Sequence, residues 1–264
     1  MDAIVNWYFP QLIVGFLVLA RISGLVTTAP VFGSRSVPVR IRALLAIGMT
    51  LLVVPPLGHG LSVVPENLFQ LSALIARELM IGLSMGLAIV IVLSGLQVAG
   101  QIASQMSGMA LAEVFDPTYD SNVPVFSQLM DLVTLALFVI LGGHRMVISA
   151  LLGTFQTIPL AEGRLGEGAG DLLASIVTES FVLGIRAGAP MMVSLLLSIL
   201  VLGLVSRTLP QLNVMAVGFG LNAIMALGTM SIVMGSIAWI FQEPMEATLV
   251  SVREMFQAAM TSAP

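Results

Sequence analysis

Apolar residues fill this chain in long unbroken runs, and polar ones gather in short breaks between them. About 20 apolar residues suffice to cross a bilayer as a helix. Six runs reach that length, at about 8–30, 41–58, 68–100, 129–152, 172–206 and 208–242. Lipid offers backbone N–H and C=O groups no partners, so such runs fold as helices or closed barrels. These runs are continuous rather than alternating, which selects helices. The pattern predicts an all-α membrane protein of about six long apolar helices, some broken or re-entrant.

The breaks between runs are legible. GSRSVPVRIR (33–42) reads as a basic turn, and 58–67 as a Gly/Pro/Asn loop with a helix start at Pro65-Glu66. AEGRLGEGAGD (161–171) is the most polar stretch and reads as an exposed loop. In the tail, 243–264, Met245, Leu249, Val252 and Phe256 share one helical face. That is the pattern of an amphipathic surface helix or a partner-binding one.

Some apolar stretches are too long for a plain span. Residues 79–112 carry no charge, and 187–242 carry only Arg207. The first of these would extend about 50 Å as a helix, against roughly 30 Å of hydrocarbon. Such elements must break, tilt strongly, or continue past the lipid inside protein. Gly95, Gly100, Gly108, Pro210, Gly218 and Gly220 stand where breaks are expected.

Composition strengthens the membrane reading. Only 9% of residues are charged and 58% are hydrophobic, with a mean hydropathy of +1.05, which leaves no soluble way to hide the apolar surface. A net charge of −4 argues against a nucleic-acid partner. With no Cys, disulfides and Cys-ligated metal sites are excluded. Arg35, Arg40 and Arg42 favour the cytoplasm for their turn, but Arg elsewhere is evenly divided between loops and fixes no topology.

Charges also lie within the apolar runs: Arg21 in the first, Arg77 and Glu78 in the third, Glu179 and Arg186 in the fifth, with Asp131 and Arg145 flanking the fourth. Each costs about 2.5–3.5 kcal/mol at a helix centre in lipid. Glu179 and Arg186 lie two turns apart on one face, too far to pair directly. Arg21, Glu78, Glu179 and Arg186 are therefore expected to make intersubunit polar contacts, with a partner on another helix also open for Glu179 and Arg186; snorkelling to an interface is the alternative for the arginines. GLSMG (82–86) and GIRAG (184–188) are GxxxG patterns, which let helix backbones approach closely.

The sequence holds little that reads as catalytic. GAGD (168–171) with TYD (118–120) imitates the paired aspartates of intramembrane proteases. Yet one half ends a polar loop and the other sits between prolines, rather than on apolar helices at matching depth. His59 and His144 lack an HExxH context. No phosphate-binding or dinucleotide motif is present, so no cofactor and no enzyme activity are expected.

The stretch SQMSGMALAEVFDPTYDSNVPVFSQ (104–128) interrupts two apolar runs with three acids, two prolines and two methionines beside a glycine. Irregular backbone at membrane depth is tolerated when it is buried in protein or lines water. A re-entrant loop obstructing a lumen fits those residues, and so does an external surface loop. Methionines at 106 and 109 suit a constriction that deforms around a varying object.

Four segments resolve the choice by resemblance. ARISGLVTTAPVFGSRSVPVRIR (20–42), FDPTYDSNVPVFSQL (115–129), LFVILGGHRMVISALLGTFQTIPL (137–160) and SRTLPQLNVMAVGFGLNAIMALG (206–228) together resemble the FliR family of flagellar type III export-apparatus membrane proteins, related to the injectisome SctT proteins. The resemblance implies a subunit of the bacterial inner membrane that joins FliP- and FliQ-like proteins in a helical, pore-forming gate for unfolded flagellar subunits. An FlhB-like protein is expected at the cytoplasmic side. Residues up to about 160 would be FliP-like and about 172–242 a FliQ-like hairpin. The family's plug loop maps onto about 105–122, with Gln105, Met106, Gly108, Met109, Phe115, Asp116 and Pro117 as candidate plug residues. The competing expectation is a self-contained secondary transporter, which needs a midplane site and preferably inverted repeats; no six-segment repeat is visible.

Overall fold

The structure, a computed structural model, describes residues 2–34, 37–57, 65, 67–109, 124–163, 169–211 and 213–261. Seven helices and no strand occur among the described residues: α1 (Asp2–Thr28), α2 (Val39–Leu57), α3 (Leu68–Ser107), α4 (Val125–Ile140), α5 (Gly143–Thr157), α6 (Ala169–Thr208) and α7 (Val214–Thr261). Five are long and apolar enough to cross a membrane, and the bent pair α4–α5 makes a sixth span if counted as one. The all-α membrane fold is as the hydrophobic pattern predicts.

Three expectations take definite form, two of them as corrections. The run 129–152 is one of the broken elements: α4 and α5 meet at 62°. The break falls at Gly142, whose φ of +74° strains any residue with a Cβ. Its carbonyl then accepts the N–H groups of Arg145 and Met146 to start α5. Second, Gly95, Gly100, Gly218 and Gly220 break nothing, since α3 and α7 run through them; only Gly108 and Pro210 lie at helix ends. Third, the tail is no separate surface helix. It continues α7 through Pro244, and Met245, Leu249, Val252 and Phe256 turn their shared face into the chain's own core.

The chain forms two compact units. The first holds residues 1–90, 142–176 and 245–264. At its centre runs α1, whose Leu17, Val18, Ile22 and Leu25 are fully buried. Close approach of α1 to α3 depends on glycine. A Cβ on Gly24 would lie 2.5 Å from the Leu79 carbonyl oxygen, and one on Gly82 or Gly86 would overlap Arg21 or Thr28. The first GxxxG pattern thus joins two helices of this chain. Only Ala46, Thr50 and Val53 of α2 are buried, one narrow stripe; Leu44, Leu51 and Leu52 point outward.

The second unit holds residues 91–141 and 177–244. Here α3 and α6 touch backbone to backbone: a Cβ on Gly184 would overlap the Gly95 carbonyl, and one on Gly95 the Ser180 carbonyl. The Ser180 hydroxyl donates to the Ile91 carbonyl at 2.6 Å. Gly100 receives α4, where a Cβ would come within 2.6 Å of the Phe126 carbonyl oxygen. Gln97 on α3 donates to Asp131 on α4 at 2.5 Å, which satisfies one of the charges that flank that apolar run.

Candidate functional site

The interrupting segment begins where α3 stops, and α3 stops because of Gly108. After Ser107 the backbone turns at Gly108, with φ +80°. The Ser107 hydroxyl ties this end off, donating to the Ser104 carbonyl at 3.0 Å and accepting the Met109 N–H at 3.4 Å. The Phe219 ring of α7 lies so close that a Cβ on Gly108 would sit 2.6 Å from its edge. Gly108 is therefore needed twice, for its backbone angle and for the approach of the ring.

Asn222, one turn along α7 from Phe219, links three helices inside this unit. Its side-chain carbonyl accepts the Ser198 hydroxyl of α6 at 2.6 Å, and its amide donates to the Ser107 carbonyl at a long 3.5 Å. The amide accepts through its oxygen and donates through its nitrogen, so one side chain serves both neighbours. The Ser104 hydroxyl is fully buried with no hydrogen-bond partner among the described residues. Of the candidate plug residues, Gln105, Met106, Gly108 and Met109 form this short terminus, Gln105 exposed and the two methionines half-buried. Phe115, Asp116 and Pro117 lie outside the described residues.

A second polar constellation lies in the first unit. Arg21 and Glu78, expected to make intersubunit contacts, instead meet each other inside this chain, both completely buried, with Arg21 Nε 2.6 Å from Glu78 Oε2. The guanidinium also donates to the Thr154 hydroxyl at 3.2 Å and the Ile158 carbonyl at 3.3 Å, and stacks 4.6 Å over the centre of the Phe155 ring. Glu78 Oε1 accepts the Ala161 N–H at 2.9 Å. Both charges are compensated within the fold, which removes the need for an intersubunit partner. This clasp fixes α1, α3, α5 and the turn after α5 to one another.

Glu179 and Arg186 behave differently. Both are exposed on α6 and make no hydrogen bond or ion pair among the described residues. They stand among outward-facing Phe181, Val182 and Ile185. Asp171, half of the protease-like pattern, is an exposed acid in the first turn of α6, where it complements the helix dipole; Asp120 lies outside the described residues. Sequence reasoning missed Asn222, Ser198 and Phe219. One signal was available for Asn222: it is the only Asn inside the apolar part of α7.

Known proteins match almost the whole of this chain in sequence. The profile of Bacterial export proteins, family 1, matches residues 12–248. The chain is 32% identical over 223 residues to the flagellar biosynthetic protein FliR of Escherichia coli (strain K12), covering 84% of this chain and 85% of that protein. It is 26% identical over 259 residues to FliR of Bacillus subtilis (strain 168), covering 97% of each. FliR of Caulobacter vibrioides is 27% identical over 233 residues, 88% of this chain and 93% of that one. With several apolar helices of spanning length and matches that run nearly end to end, the chain belongs to the FliR family, multi-pass membrane components of the flagellar export apparatus.

Proposed function

We propose that this chain is a non-enzymatic core subunit of the flagellar type III export gate in the bacterial inner membrane. With FliP- and FliQ-like subunits it forms the channel through which unfolded flagellar proteins leave, and an FlhB-like protein docks at the cytoplasmic side. Residues up to about 160 serve as a FliP-like part and about 172–242 as a FliQ-like hairpin. The segment from Gln105 to Asn122 plugs the channel at rest.

The observation that carries this reading is the outer face of α6. Large apolar side chains are exposed from Leu173 to Leu204, a length of about 45 Å at the helical rise. Hydrocarbon of roughly 30 Å covers that only at a steep tilt. The same face carries Glu179 and Arg186, exposed charges that lipid disfavours and a protein partner accommodates. Partner subunits that wrap this helix explain both features.

Deleting residues 106–120 in cells with the whole apparatus tests the plug. The complex should still assemble, and the membrane should leak ions or small solutes at rest. An assembled complex with unchanged permeability would refute the plug. A purified chain that carries a solute into liposomes without partners favours the transporter instead.

A further inference from the structure

We propose that the outer face of α2 lies directly against the acyl chains of the bilayer, and that Arg40, in its first turn, holds that end in a layer of acidic phospholipid headgroups. The inference concerns the first unit alone and does not depend on the plug.

Helix α2 differs from the longest helices in length and in cover. Its 19 residues rise about 28 Å, close to the roughly 30 Å of hydrocarbon, whereas α3 and α6 run for 40 residues each. Only 17% of its apolar stretch is buried within the chain, against 56% for that of α3. It packs against α1, and its buried residues are Ala46, Thr50 and Val53. Leu44, Leu51 and Leu52 are each more than two-thirds exposed, and Ile47 is nearly half exposed.

The chemistry of that face favours lipid over protein. No charge occurs from Ala43 to Leu57, and the single hydroxyl of the stretch, on Thr50, turns inward and donates to the Ala46 carbonyl at 2.7 Å. A protein interface carries about one hydrogen bond per 100–200 Å², and this face offers no side-chain donor for one. Its exposed residues are mostly bulky and branched, unlike the glycines through which α3 and α6 touch. Helix α6 makes the contrast, since its exposed face includes Glu179 and Arg186.

Charge at one end says what meets it there. Arg40 is exposed and makes no hydrogen bond or ion pair among the described residues. Arg42 folds back to donate to the Ser34 carbonyl at 2.7 Å and the Val37 carbonyl at 3.1 Å, so its charge stays beside the same turn. The first turn of α2 holds no acid, and bases at a helix N-terminus lie against its positive pole. An anionic surface offsets both the bases and the dipole. Acidic headgroups provide one at the depth where the apolar face ends.

Photoreactive side chains at Leu44, Ile47 and Leu52 test this in membranes that hold the whole export apparatus. All three should form adducts with phospholipid, identified by mass spectrometry of the isolated chain. At Leu44, one turn from Arg40, acidic phospholipids should exceed their share of the membrane roughly fivefold, the gain from a single base at an anionic surface. Arg40→Gln should remove most of that enrichment and Arg40→Lys should keep it. Adducts at Leu52, about 18 Å further along the helix, should change little in either variant.

Adducts with another subunit or a second copy of this chain at these positions overturn the lipid face. Acidic lipid at its bulk share at Leu44, or an enrichment that survives Arg40→Gln, overturns the headgroup contact. Where Arg40→Gln does not assemble, Leu44 and Leu52 of the unaltered chain decide the same point, and equal acidic shares at the two overturn it.

Discussion

Arg21 and Glu78 are worth more as a pair than either is alone. Removing one member of a buried ion pair strands the other charge and costs about 3–5 kcal/mol, while replacing both by apolar residues of similar size is near neutral. Glu78→Ala should therefore lower the thermal unfolding midpoint of the detergent-extracted protein sharply, and Arg21→Met with Glu78→Met should recover most of the loss. Equal damage from the single and the double variant would show that the pair contributes something other than mutual compensation. The sequence announced both charges, because each is too costly for lipid. It could not announce their pairing, which depends on two residues 57 positions apart in the chain meeting in one register. Asn222 was harder still to read: an amide in an apolar run looks alike whether it caps another helix or faces a partner.

At the scale of helices, glycine does two separate jobs, and composition cannot tell them apart. At Gly142 it permits a backbone angle, and the helix bends. At Gly82, Gly95 and Gly184 it removes a side chain, and two helices touch. Expecting breaks at Gly95 and Gly100 confused the second use with the first; the spacing of GIRAG was the better guide, since Gly184 and Gly188 both face α3. Gly220, by contrast, has nothing within 4 Å of its Cβ position. Gly184→Ala should destabilise the second unit by about 1–3 kcal/mol through overpacking. Gly220→Ala should be neutral or stabilising by up to about 1 kcal/mol through helix propensity. Thermal melts of the two variants, side by side, check both signs. The tail illustrates a further limit, because the spacing of Met245 to Phe256 gives a face but not its cover. That cover is the chain itself.

At the scale of the molecule, the described helices hide most of their glycine contacts and the Arg21–Glu78 pair inward and leave wide apolar faces outward. Ile185 and Leu197 on α6 and Ile224 on α7 are all more than half exposed. The sequence required that elements this long break, tilt strongly or continue past the lipid inside protein, and the resemblance of four segments to one family suggested a set of partners. Photo-crosslinking at those three positions, in membranes with the whole export apparatus, tests the central claim most directly. The account predicts adducts between this chain and FliP- or FliQ-like polypeptides at all three. Adducts with lipid alone, from a chain that extracts as a monomer, would contradict it.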